Sequence, residues 1–175
     1  MITFYKDNEI RIDFTSKPIC DFLDPCDPDI SEEERKDRLK KPYQNRYSLG
    51  VRVTYNGKVF YFVIPKGYRW NGANVPRFAW SIIGSMDDPK FRTASCLHDR
   101  LCENHQFVAY DRKLSTKIFC SLLKVADVPN WKITLTYHAV DNFQKLCGWK
   151  DPDLKKRNNK NKKNKNKNKD EKIDK

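Results

Sequence analysis

Two segments of this chain carry residue types that could do chemistry. Trp70-Asn71-Gly72-Ala73-Asn74-Val75-Pro76-Arg77 is a polar loop with one glycine, and it runs into a helix start at Pro76, where a missing N–H costs nothing. Leu97-His98-Asp99 sets an imidazole and a carboxylate inside an apolar helical stripe. His98 lies close in helical angle to Phe91, Ala94 and Cys102, with Asp99 about 100° further around the helix. Burying such a pair is costly unless both groups are hydrogen-bonded. The expected partners are the loop amides and the side chains of Asn71 and Asn74, with Gly72 allowing close backbone approach or positive φ.

That arrangement admits two chemistries. In one, His98 is a general base or metal ligand, and Asp99 orients it or shares a divalent metal. In the other, His98 and Asp99 join Asn71, Gly72, Asn74 and Arg77 in a satisfied polar network, a structural or ligand-binding site that pins the loop to the helix. Spacing removes several enzyme classes. The three histidines are His98, His105 and His138, so none precedes the His-Asp pair as a His-Asp phosphohydrolase requires. Two histidines four apart around a glutamate, the zincin pattern, are absent. His98 and His105 share a face without a third ligand, and the loop is a poor match to the calcium loop of secreted phospholipases. A thiol nucleophile at Cys96 or Cys102 beside His98 stays open.

The elements that must position these groups are legible from pattern. Ile2–Tyr5 and Glu9–Phe14 read as strands, and Lys17–Asp29 as an irregular Pro/Asp-rich stretch. Ser31 and Glu34 have capping-box spacing ahead of a short helix charged on all sides. Asn56-Gly57 between Val51/Val53 and Phe60/Phe62 predicts a two-residue hairpin in which Val53 faces Phe60 and Val51 faces Phe62. Helices are expected over Arg77–Gly84, Pro89–Asn104, Asp111–Val125 and Asn130–Cys147.

Composition bounds the rest. The chain has 175 residues and a formal charge of +12, of which the eleven basic and three acidic residues from Lys155 onward supply +8. Six cysteines without a Cys-x-x-Cys pair, and an N-terminus without a signal segment, fit reduced, mostly buried thiols in a cytoplasmic setting. No run approaches membrane-spanning length, so no membrane partner is expected. The Lys/Asn end has nothing to bury against the entropy of ordering, and disorder is expected over 153–175. Lys160, Lys162, Lys163, Lys165, Lys167 and Lys169 could attract nucleic acid without sequence preference through counterion release. Lysines and arginines of the body look too scattered to define a groove.

Pro65-Lys66-Gly67-Tyr68, Asn71-Gly72-Ala73, Val75-Pro76-Arg77, Trp80, Ile83-Gly84 and Leu97-His98-Asp99 occur in one order with characteristic gaps. In that order the chain resembles the phage-associated domain of unknown function 1353 over residues 45–148, with weaker matches at Phe119 and at Val128-Pro129…Trp131. The resemblance implies a phage or viral setting but no established activity. The family's usual pattern has an aspartate in the loop, a tyrosine shortly after His-Asp and an Ala-Asp pair in the next helix. Here Asn71, Cys102 and Ser115-Thr116 stand at those places.

The combined expectation is an α+β domain over 1–152, an antiparallel hairpin-based sheet packed against three or four C-terminal helices. Its role would be that of an accessory protein with a small polar site. A hydrolase using His98 and Asp99, with or without a divalent metal, is the rival, and nucleic-acid tethering through the tail is the third reading.

Overall fold

A computed structural model describes residues 1–72, 88–103 and 112–146. The architecture is α+β. Strands β1 (Ile2–Lys6), β2 (Ile10–Phe14), β5 (Leu49–Tyr55) and β6 (Lys58–Ile64) form an antiparallel sheet in the order β1-β2-β5-β6. The β5–β6 hairpin has the expected register, Val53 opposite Phe60 and Val51 opposite Phe62. Asn56 and Gly57 both take positive φ, 48° and 72°, the twist-matched turn that this dipeptide favours. Val51, Val53 and Ile64 are buried, whereas Val59, Tyr61 and Val63 face outward, so one face is core and one is wet.

A second sheet differs from expectation. Lys17–Asp29 is not wholly irregular: Cys20–Phe22 is a strand, β3, paired with β4 (Tyr43–Asn45), which pairs in turn with β7 (Arg69–Trp70). Strands of two or three residues are too short to show alternation, so their existence rests on tertiary pairing. Trp70 accordingly belongs to a strand rather than a loop, and it is fully buried.

Helix α1 (Glu32–Lys40) is capped by Ser31, whose Oγ accepts from the Glu34 amide at 3.1 Å. Only that half of the capping box forms. The Glu34 carboxylate accepts instead from Arg38 at 2.9 Å and Arg69 at 2.7 Å, which ties the charged helix to β7 and holds Glu34 down at about 2. After a 3-10 turn at Pro89–Phe91 come α2 (Arg92–Glu103), α3 (Arg112–Val125) and α4 (Asn130–Leu146), close to the expected bounds. Helix α3 packs on α2, on α4 and on β1, and one continuous apolar cluster joins the sheets to the helices through Phe14, Val53, Trp70, Leu97, Ile118 and Leu123. The expected Arg77–Gly84 helix, and the tail, lie outside the described residues.

Candidate functional site

Helix α2 commits Ala94, Leu97 and Leu101 to the core, leaving the next positions around the helix at its border. His98 and Asp99 sit there, their side chains 12% and 13% exposed. Trp70 Nε1–H donates to Ser95 Oγ at 3.2 Å, which fastens the end of β7 one turn before His98. Asn71 and Gly72 follow directly. Gly72 is buried at φ 87°, the left-handed conformation expected of it. Asn74 and Arg77 lie outside the described residues.

The partners that surround the imidazole come from the other two helices. Gln144 of α4 places its amide nitrogen 2.7 Å from His98 Nε2. The same amide donates to Ser115 Oγ at 3.2 Å and accepts from Thr116 Oγ1 at 3.0 Å, both on α3. The Ser115 hydroxyl closes the chain on the Arg112 carbonyl at 2.9 Å. Arg112 pairs with Asp141 in the interior, and Lys145 reaches the same carboxylate at 2.8 Å. Phe119 tilts against the imidazole with ring centres 5.2 Å apart. Ser115, Thr116, Gln144, Arg112 and Asp141 are all buried, so the three helices share a polar seam inside an apolar layer. Each of its neutral groups would cost about 1–3 kcal/mol if left unpaired, and its charged groups more.

The remaining ring nitrogen, Nδ1, lies 3.9 Å from Asp99 Oδ1, an electrostatic neighbour rather than a hydrogen bond. Burial alone would weaken the imidazole as a base. Asp99 and then Cys102 outweigh that and push its pKa up to about 9. Burial raises Asp99 above the usual carboxylate range, with the imidazole pulling the other way. The seam accommodates either charge state. A neutral ring accepts the Gln144 N–H at Nε2. A protonated ring donates Nε2–H to Gln144 once the amide turns over, and the amide N–H then goes to Thr116 Oγ1, whose own hydroxyl has the Arg112 carbonyl at 3.1 Å.

The geometry answers the thiol question. Cys102 Sγ is 3.6 Å from Nδ1 and 3.7 Å from Nε2 of His98. A sulfur on the lone-pair axis of one nitrogen would be clearly nearer to that nitrogen, so the thiol is not aligned for proton transfer to either. Burial holds Cys96 protonated, well above an ordinary thiol, and pushes Cys120 up to about 12. Neither is an activated nucleophile. Among the described residues, no three His, Cys, Asp or Glu side chains converge as a metal site. No helix among them is long and apolar enough to cross a membrane.

The sequence reading missed Gln144 and did not connect Ser115 and Thr116 to His98. Their signal was present: two adjacent hydroxyls inside the apolar seam Leu114–Ile118–Leu122, which a buried helix carries only when something hydrogen-bonds them.

Comparison with known proteins covers this same region. No solved structure matches the chain. A curated relative, the uncharacterised protein y4jT of Sinorhizobium fredii (strain NBRC 101917 / NGR234), is 34% identical over 80 residues. The match takes in 46% of this chain but only 23% of the relative, so the relative is much the longer protein. Residues 47–140, running from the β5–β6 hairpin through His98 and into α4, match the protein family of unknown function DUF1353. With more than half its length matched and the His98 helix inside the match, the chain belongs to the DUF1353 family.

Proposed function

We propose that this chain is a non-catalytic accessory protein whose His98-centred seam locks three helices into one layer, with a ligand taken up beside the Trp70–Gly72 segment that Ser95 fastens to the same helix. The observation that carries this reading is the Gln144 amide 2.7 Å from His98 Nε2. A general base must present a nitrogen to its substrate. Here Nε2 is engaged by a side chain that is itself held by Ser115 and Thr116, and Nδ1 faces Asp99. Asn71 and Gly72, with Asn74 and Arg77 as further candidates from the sequence, are then the residues proposed to contact a ligand, and Asp99 tunes the ring rather than a reaction. The phage-derived setting that the family resemblance implies suits an accessory role of this kind. The hydrolase reading keeps one observation in its favour, the upward pKa displacement of both His98 and Asp99, which is common at reacting sites.

A thermal melt of His98→Ala, with and without a divalent metal, separates the two. The accessory reading expects a loss of about 1–3 kcal/mol, because Gln144 loses its partner, and the same loss with metal present. Unchanged stability, together with lost metal uptake or lost hydrolysis of a model ester, would establish the enzyme instead.

A further inference from the structure

Helix α3 has a second working face. Lys113, Lys117, Ser121 and Lys124 recur at helical spacing and line an open cleft whose other walls are Tyr55 at the end of β5 and Asn130, Thr134 and Tyr137 of α4. Lys113 to Lys124 covers eleven residues, about 16 Å along the axis, long enough for more than one phosphate of a nucleotide chain. The N-terminus of α4, a 17-residue helix, opens at Asn130 in the same cleft and adds its positive dipole end.

One carboxylate, Asp7, lines the cleft itself, and Glu9 lies at its Lys117 wall. Asp7 accepts from the Tyr5 hydroxyl and from the amides of Glu9 and Ile10, and Glu9 pairs with Lys117. No carboxylate among the described residues pairs with Lys113 or Lys124. Two aromatic rings line the cleft with the cations, Tyr137 and Tyr55, the latter with its ring centre 5.2 Å from the Lys117 ammonium, while Lys124 donates to the hydroxyl of neighbouring Tyr5 at 3.4 Å. Lysines alone would suit any polyanion. Lysines alternating with tyrosines and short hydroxyl and amide side chains suit phosphates that carry flat bases, since rings stack on bases and ammonium groups pair with the backbone.

From this geometry we propose that the Lys113/Lys117/Lys124 cleft binds the phosphate groups of nucleotides, as a single-stranded nucleic-acid segment laid along α3. The expectation of scattered body cations is thereby corrected: the three lysines lie on one helix face, a placement that their spacing already contained.

The test uses the full chain and a short fluorescent oligothymidylate strand, with binding followed by anisotropy across a salt series. Lys113→Glu/Lys124→Glu reverses two exposed charges and leaves the Lys117–Glu9 pair intact. Binding should weaken about tenfold or more, and the slope of log affinity against log salt should fall by about 1.4, two phosphate contacts at roughly 0.7 each. A second full-length variant with Lys160, Lys162, Lys163, Lys165, Lys167 and Lys169 all changed to Gln measures what the tail supplies. If that variant removes the whole salt slope and Lys113→Glu/Lys124→Glu removes none, the cleft proposal is overturned. Competition by ATP distinguishes the sources. No displacement at matched phosphate concentration identifies the strand as ligand, and full displacement identifies a free nucleotide at the same phosphate site.

Discussion

Helix α3 presents two polar faces that behave in opposite ways. Toward α2 and α4 it offers Ser115, Thr116 and the Arg112 guanidinium, all buried and all partnered. Toward the sheet end and the start of α4 it offers Lys113, Lys117 and Lys124, which stand at an open cleft. The inward face directs its polar groups at one another, which gives cohesion between the helices. The outward face ties Lys117 to Glu9 and Lys124 to the Tyr5 hydroxyl, yet all three of its ammonium groups still line an open cleft. A polar cluster therefore signals a binding site only where its donors outnumber their internal partners, and by that measure the lysine face is the better candidate.

The sharpest way to break this contrast is to remove the α4 carboxylate that partners the inward face and to reverse one lysine of the outward face. Asp141→Ala strands the Arg112 guanidinium in the interior and should cost about 3–5 kcal/mol, whereas Lys113→Glu should stay within about 0.5 kcal/mol, both read by urea denaturation. Similar costs from the two would erase the distinction.

The imidazole of His98 holds its proton more tightly folded, at about 9, than unfolded, at 6.5. Its stabilising contribution is complete below about pH 6.5 and fades as pH rises through about 9, by as much as about 3 kcal/mol. Denaturation midpoints of the native chain and of His98→Gln, measured from pH 6 to pH 9.5, should converge at the alkaline end. A constant gap between them would show that the ring does not titrate in this window.

How much of this was legible beforehand follows from the range of the contacts. The β5–β6 hairpin was readable residue by residue, because Asn56-Gly57 fixes the turn and the turn fixes the register. Helices α2, α3 and α4 were readable from apolar period and from Pro and Gly punctuation. The β3-β4-β7 sheet was not, since its strands are shorter than any periodic signal and exist through pairing between positions more than twenty residues apart, such as Phe22 with Tyr43 and Tyr43 with Trp70. The site divided in the same way. His98 and Asp99 stood out locally, as polar residues in an apolar stripe. Gln144 lies 46 positions away on a mixed helix surface, where nothing local separates a buried amide from a solvated one. Thr116 stands where the family resemblance implies an aspartate, and that position is one hydrogen bond from the amide that holds the ring.

The most direct measurement is a double-mutant cycle across the contact between α2 and α4. His98→Ala, Gln144→Ala and the double variant are each unfolded in urea at pH 7. If the imidazole and the amide hold each other as described, the two losses fall short of additivity by about 1 kcal/mol or more. Additive losses would mean that His98 and Gln144 act independently, and His98 would again be free to act as a base.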